Sequence, residues 1–248
     1  MTGSKFSFII FSLIINIEAV VSFASPAKIV ANQMTLMQRE NKAIAEGDVI
    51  STQDDQKLLS DKLIAFFEKQ EAPQHDSTAT PLPSKTSNLK RLVATTLEKN
   101  KPILLTTPQI NLKCYTSLTY DVQAKKSTAL GNVHLKNIKD NYVMLAPKIV
   151  TYFFEETQKI KKMQSFGGVT IIRGSQKALG RTAIYKSQDQ SIELFDDVIL
   201  LDNGKKLTGS YAHMDLETGI SKVFANKKNQ IKTQQKKKVH MLLSTPAS

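Results

Sequence analysis

Residues 127–153 read STALGNVHLKNIKDNYVMLAPKIVTYF, and this stretch decides the fold. Apolar or small side chains alternate with polar ones on both sides of Lys139-Asp140-Asn141, a run of turn-forming residues. Alternation with a period of two predicts half-buried β-strands, and so short a connection leaves no room for a crossover helix. The stretch therefore predicts an antiparallel hairpin with one face toward an apolar interior.

Two motifs of this hairpin recur along the chain. The first is a Gly or Asp, a small or polar residue and then Val, with copies that begin at Gly47, Gly131, Gly167 and Asp196. The second starts with a small residue and has apolar, small or hydroxyl side chains at its fourth and sixth positions, with copies that begin at Ser60, Ala146, Gly180 and Gly209. The second motif follows the first by 13 residues, or by 15 in the second copy. This regularity predicts a stack of similar hairpins.

The repeats predict an all-β fold: an elongated stack of about eleven antiparallel strands. A Gly or Asp in the middle of a strand predicts a bulge or bend in every unit. The outward face of the last two copies is also partly apolar, which predicts cover by another strand layer or by a partner; its residues are Phe166, Ile172, Phe195, Ile199 and Leu201.

The composition excludes several classes of protein. Hydrophobic residues make up 41% and charged residues 23% of the 248, which excludes wholesale disorder and a collagen-like fibre. The single cysteine, Cys114, excludes an internal disulfide framework and a Cys-rich zinc site. The net charge is +12, of which six lysines and no acid lie in the tail 226–248. Because the basic residues are not interleaved with aromatic ones, an anionic lipid or glycolipid fits this charge better than a nucleic acid does.

The N-terminus predicts export. Lys5 precedes an apolar stretch, Phe6–Phe23, which Asn16 and Glu18 interrupt. The uninterrupted apolar run is short, as in a signal peptide, so we predict a signal peptide at 1–24, cleavage after Ala24 and export of the rest of the chain. An uncleaved membrane anchor is the alternative.

The remaining boundaries follow from composition. Residues 25–225 form the predicted repeat domain, and 226–248 a disordered basic tail. A disordered insertion is predicted at about 71–101: residues 71–88 are rich in Pro, Ser and Thr, and a short helix is predicted at 89–100.

Residues that could carry catalysis form no recognisable site. The histidines, which lack metal-ligand spacing, are His75, His134, His213 and His240. Asp196 and Asp197 are adjacent, so in a strand they would point to opposite faces and make a poor carboxylate pair. Cys114 has no evident His partner, and there is no phosphate-binding GxxxxGK[ST] loop. We therefore expect no enzyme activity, no metal and no cofactor.

The repeat resembles a known family. The segments KAIAEGDVISTQ, KLLSDKLIAFF, STALGNVHLK, VMLAPKIVTYF and LTGSYAHMDLETG are similar to the OstA-like repeat of the LptA family. The resemblance implies a β-jellyroll that is open at both ends and carries lipopolysaccharide, with the lipid A acyl chains in its interior. It also implies a periplasmic location, end-to-end stacking of protomers and docking to jellyroll partners at the inner and outer membranes.

The alternation supplies the candidate site, which is a lining for acyl chains. Its residues are Val49, Val133, Leu135, Met163, Val169, Ile171, Leu194, Val198 and Leu200. From alternation alone, the core of a closed β-sandwich is the favoured interpretation of the same residues, and the family resemblance reverses that preference. Two other functions remain open: a membrane-anchored jellyroll partner of the same pathway (LptC-like), and a polysaccharide-acting enzyme on a repetitive β-scaffold.

Overall fold

The computed structural model describes residues 27–68, 89–98, 100–155, 157, 159–225 and 239–243. Sixteen strands account for most of them, and every pairing is antiparallel. In chain order they are β1 Lys28–Val30, β2 Gln33–Met37, β3 Lys42–Gln53, β4 Gln56–Phe67, β5 Leu89–Thr95, β6 Ile103–Thr106, β7 Ile110–Cys114, β8 Ser117–Asp121, β9 Lys126–Asn137, β10 Tyr142–Phe153, β11 Ile160–Arg173, β12 Gln176–Lys186, β13 Ser191–Asp202, β14 Lys205–Asp215, β15 Ser221–Phe224 and β16 His240–Leu243. A short 3-10 helix, Gln38–Glu40, connects β2 to β3. The all-β class predicted from the repeats is confirmed.

The strands build two layers that share their long strands. Each long strand is interrupted by a shift in register. The two halves of β3, β4, β9 and β14 pair with different short strands, whereas β10 to β13 pair only with long strands. Layer A contains β2, β5, β8 and β15 together with residues 42–46, 62–67, 126–130, 148–153, 160–166, 182–186, 191–195 and 211–215. Layer B contains β1, β6, β7 and β16 together with residues 49–53, 56–60, 133–137, 142–146, 169–173, 176–180, 198–202 and 205–209.

The first motif makes the bend between the layers. Its first two residues have positive φ in every copy, for example 86° at Gly131 and 41° at Asn132. That backbone region favours Gly, Asn and Asp, the residue types that occupy these positions. A Cβ atom built on Gly131 would lie 2.2 Å from the Oγ1 atom of Thr116, so this copy of the bend also requires a residue without a side chain.

The second motif supplies the partner of the first across each hairpin. The Val of the first motif pairs with the small residue that opens the second, as Val49↔Ser60, Val133↔Ala146, Val169↔Gly180 and Val198↔Gly209. A bulky residue therefore always faces a small one at the bend, which satisfies close packing there. The longer spacing of the second copy arises from its four-residue turn, 138–141.

Two local predictions were wrong. Residues 89–100 were predicted to contain a helix within a disordered insertion, but 89–95 form strand β5, which fills layer A between β4 and β8. The tail was predicted to be disordered, but 240–243 form β16, which pairs with β14. In both cases pairing with distant strands decides the conformation. The predicted signal peptide, the 71–88 loop and most of the tail lie outside the described residues. Among the residues that the structure describes, no helix is long and apolar enough to span a membrane.

Candidate functional site

The nine predicted lining residues come together in one buried apolar cluster between the two layers. None of them is more than 4% exposed. Met163 and Leu194 lie in layer A, and the other seven lie in layer B. The sequence analysis therefore found mainly one wall of the interior.

Residues of the second motif form much of the opposite wall, and the sequence analysis missed them. The fourth and sixth positions of its four copies point inward from layer A: Leu63, Ala65, Ile149, Thr151, Ala183, Tyr185, Ala212 and Met214. Each of these side chains is 6% exposed or less. The motif spacing already contained this signal, because positions four and six of a strand lie on one face.

The interior is filled with side chains. Small residues of layer A, such as Ala129 and Ala183, face larger residues of layer B in the same cluster. The buried polar side chains Asp61, Asn137 and Asp140 lie at the margins of this cluster, where each has hydrogen-bond partners. The middle of the interior, within the residues described, is apolar apart from hydroxyl groups such as those of Thr151 and Ser165.

One side of the interior is closed by the chain itself, and the other by side-chain contacts. The bends connect the layers covalently. On the opposite side the hairpin turns of the two layers face each other, and we refer to these two rows of turns as the lips. Among the described residues, three hydrogen bonds join the lips: Tyr185 to Asp140, Arg173 to the carbonyl of Leu216 at 2.5 Å, and Ser221 to Gln176 at 3.4 Å.

The contact at Tyr185 belongs to a buried polar group that we term the clasp, formed by Asn137, Asp140, Tyr142 and Tyr185. The hydroxyl of Tyr185 in layer A donates to Oδ2 of Asp140 in a turn of layer B, at 2.6 Å. Nδ2 of Asn137 donates to the same carboxyl oxygen at 3.2 Å, and the rings of Tyr142 and Tyr185 are 5.7 Å apart. Burial, together with the nearby Asp140 carboxyl, raises the pKa of Tyr185 above its ordinary value. The phenol therefore remains protonated and able to donate at neutral pH.

A basic and aromatic cleft of about 720 Å³ lies in the lip of layer A. Its walls include Lys125, Lys159 and Lys161 together with the segment 152–155. Nζ of Lys161 lies 5.8 Å from the ring centre of Phe154, a cation–π contact. Cations are therefore placed beside the mouth of the interior, where they can attract phosphate groups.

A second polar group fixes the crossover from β5 to β6. Lys101 Nζ lies 2.6 Å from Asp61 Oδ1 and 2.8 Å from Asp48 Oδ1. Asp61 also accepts hydrogen bonds from the amide of Leu97 and the hydroxyl of Thr96. Burial by itself would raise the pKa of Asp61, but these donors lower it to about 2. The buried carboxylate of Asp61 is therefore explained by its structural role at this crossover, without a catalytic role.

The described residues considered for catalysis do not assemble into a site, and His75 lies outside the described part of the chain. Asp196 and Asp197 have positive φ at a bend, as expected of bulge residues, and Asp197 is paired with Arg181 at 2.6 Å. Burial raises the pKa of Cys114 to about 11, so this residue is a buried thiol rather than a thiolate. His213 lies on the outward face of β14, whereas His240, predicted to be disordered, lies in β16. The part of the chain described here has no group of three or more potential metal ligands.

Comparison with known proteins links this architecture to one family. The model of the family described as "LptA/(LptD N-terminal domain) LPS transport protein" matches residues 28–103 and 116–220, well over half of the chain. A solved structure of LptH, the LptA-homologous periplasmic component of the lipopolysaccharide transport device of Pseudomonas aeruginosa, has 14% sequence identity and a TM-score of 0.26, with 89% of this chain and 96% of that chain covered. The comparison with curated proteins gave no significant match.

Proposed function

Because this chain belongs to the LptA/LptD N-terminal domain family of LPS transport proteins, we propose that it carries lipopolysaccharide with the lipid A acyl chains between layers A and B. The observation that carries the proposal is the continuous apolar interior. It extends from β3 to β14 as one buried cluster. An acyl chain gains about 0.8 kcal/mol for each CH₂ group that leaves water, so an interior of this kind can shield several chains in an aqueous compartment.

The acyl chains need the layers to separate, because side chains fill the interior. The bends are fixed by the continuous backbone, whereas the lips are held by a few side-chain contacts. We therefore expect the layers to hinge at the bends and part at the lips. Acyl chains would then replace the apolar contacts between the layers, and the sugar headgroup would remain in water beside Lys125, Lys159 and Lys161.

The proposal includes a compartment and partners. Export by the predicted signal peptide, with cleavage after Ala24, would place the domain in the periplasm. Each layer ends in strands with one unpaired edge among the described residues: β1 and β2 at one end, β15 and β16 at the other. Such edges can accept further strands, which suits head-to-tail assembly and docking to jellyroll components at the two membranes. The driving energy would come from a partner.

Photo-crosslinking from inside the domain tests the proposal. A photo-reactive amino acid at Val133 or Val169, which are 0% and 2% exposed, should capture lipopolysaccharide in cells. His134 is the matched control because it follows Val133 in the same strand and points outward. Equal capture at all three positions would contradict the proposal.

The mature N-terminus distinguishes this carrier from a membrane-anchored member of the same pathway. A chain that begins at Ser25 supports the periplasmic carrier. A chain that keeps Met1 supports the anchored partner.

A further inference from the structure

The outward face of layer B is unlike the rest of the surface. Antiparallel register places 24 outward side chains in two continuous rows across its twelve strand segments. The first row, nearer the turns, is Lys28, Thr52, Lys57, Thr106, Asn111, Lys136, Val143, Ile172, Lys177, Leu201, Lys206 and Leu242. The second row, nearer the bends, is Val30, Ile50, Leu59, Leu104, Lys113, His134, Leu145, Thr170, Leu179, Ile199, Thr208 and His240.

The charge of this face has one sign. The two rows contain six lysines, eleven aliphatic residues and neither an acidic nor an aromatic residue. Within the described part of the chain, none of the six lysines lies within 4.0 Å of a carboxylate. The adjoining bends hold three acidic residues, of which Asp48 and Asp197 are paired with Lys101 and Arg181 and Asp196 precedes Asp197. The two rows therefore carry positive side chains and no negative ones, and the acidic residues lie at the turns and bends that border them.

Layer A has a different outward face. It carries carboxylates as well as lysines: Lys62 pairs with Glu46 at 2.8 Å, and Lys186 pairs with Glu193 at 3.2 Å. The lack of acidic residues on layer B is thus a property of one layer and does not follow from the net charge of the chain.

Apolar side chains on the layer B face are left in water. Val30 is 48% exposed, Ile50 37%, Ile172 38% and Leu242 65%. No other strand layer covers them within the described residues. At the usual strand separation, twelve segments extend over roughly 50 Å. Exposed aliphatic groups between unpaired lysines over that distance are typical of a surface that meets a partner.

We propose that the outward face of layer B lies against the surface of a lipid bilayer that contains anionic phospholipids. Lysines interact favourably with an anionic leaflet in any in-plane arrangement, and the aliphatic side chains between them can enter the headgroup boundary. A protein interface of standard size would instead be expected to present aromatic anchors, which these rows lack. The site is separate from the interior that we propose for acyl chains, so either can exist without the other.

Sedimentation with vesicles tests this site, using vesicles of phosphatidylcholine with or without phosphatidylglycerol. The chain used begins at Ser25, because the apolar segment 6–23 would itself enter a bilayer. The substitutions Lys136→Glu, Lys177→Glu and Lys206→Glu together should weaken binding to the anionic vesicles by more than about tenfold. The matched control makes the same charge change on layer A with three reversals: Lys126→Glu, Lys162→Glu and Lys222→Glu. This control should bind nearly as well as the unsubstituted chain.

The control also separates the face from the basic tail, because both triple variants keep the tail lysines. Equal binding by the two variants would assign vesicle binding to the tail or to net charge and overturn the proposal. Binding to an immobilised acidic peptide without binding to anionic vesicles would indicate a protein partner and would also overturn it. Thermal unfolding checks that both variants fold, and capture of lipopolysaccharide from position 133 should be unchanged, because it reports on the interior alone.

Discussion

Removing one hydroxyl group from the clasp should make the protein less stable and yet a better binder of lipopolysaccharide. Tyr185→Phe deletes the donor that reaches from layer A to Asp140 of layer B, at 2.6 Å, and leaves the ring in place. The two side chains are 3% and 9% exposed, so water replaces the lost bond poorly. The free energy of unfolding should therefore fall, because the bond stabilises the closed arrangement of the layers. The affinity for lipopolysaccharide should rise, because acyl chains need the open arrangement.

The magnitude follows from the bond that is lost. A buried hydrogen bond to a carboxyl group contributes about 1.5–3 kcal/mol, which corresponds to a decrease in Tm of roughly 3–12 °C in a domain of this size. If the closed state loses about 2 kcal/mol relative to the open one, the open fraction rises by up to about 30-fold. The apparent Kd for lipopolysaccharide should fall by up to the same factor.

Two measurements on the same protein are needed: thermal unfolding by circular dichroism, and equilibrium binding of fluorescently labelled lipopolysaccharide. Tyr211→Phe is the matched control. Its hydroxyl also donates to a carboxylate, Glu193 at 3.1 Å, but on the outward face of layer A. The control should lower stability slightly and leave binding unchanged. A Tyr185→Phe variant that loses stability and binds equally well or more weakly would refute entry through the lips.

Three further outcomes are expected. Asp61→Asn should remove about 2 kcal/mol of stability at neutral pH, since a pKa of about 2 lies well below the usual 3.8. A carboxyl group whose pKa is lowered in the folded state stabilises the fold above about pH 4, and this stabilisation is lost as the pH falls toward 2. Urea titrations should therefore show that the free energy of unfolding of Asp61→Asn depends less on pH between 4 and 2 than that of the unsubstituted chain. An equal pH dependence of the two proteins would contradict the assignment. Gly131→Ala should lower the Tm by several degrees, because φ is +86° and the added Cβ would meet Thr116 at 2.2 Å; an unaltered Tm would show that the bend tolerates a side chain. Val169→Asp should abolish capture of lipopolysaccharide, because an unpaired charge in the apolar interior costs several kcal/mol. Ile172→Asp, on the outward face of the same strand, should still capture it. Normal capture by a folded Val169→Asp variant would contradict the lining role.

Much of the architecture could be predicted because it is encoded locally. Alternation identifies the inward face of each strand, and Gly131 with Asn132 marks a bend because few residue types tolerate two successive positive φ angles. The pairing of Val133 with Ala146 follows from the spacing of the two motifs once the turn between them is recognised. These signals lie within a few dozen residues of one another.

Other features depend on residues that are far apart in the chain. The sequence of residues 89–95 has no clear strand pattern, and we interpreted it as a helix. These residues form a strand because they pair with β4 on one side and β8 on the other. Tyr185 and Asp140 are 45 positions apart, and nothing in either neighbourhood indicates that they close the lips together.

The sequence by itself determined that this protein is a stack of bent antiparallel hairpins with one apolar face, because alternation and positive-φ residues act over a single turn or strand. Only the tertiary structure decided which strand halves share a layer, where the clasp joins the lips, and that one outward face carries lysines without acids. Those properties depend on register across twelve strand segments, and register is set by packing between residues that are distant in the chain.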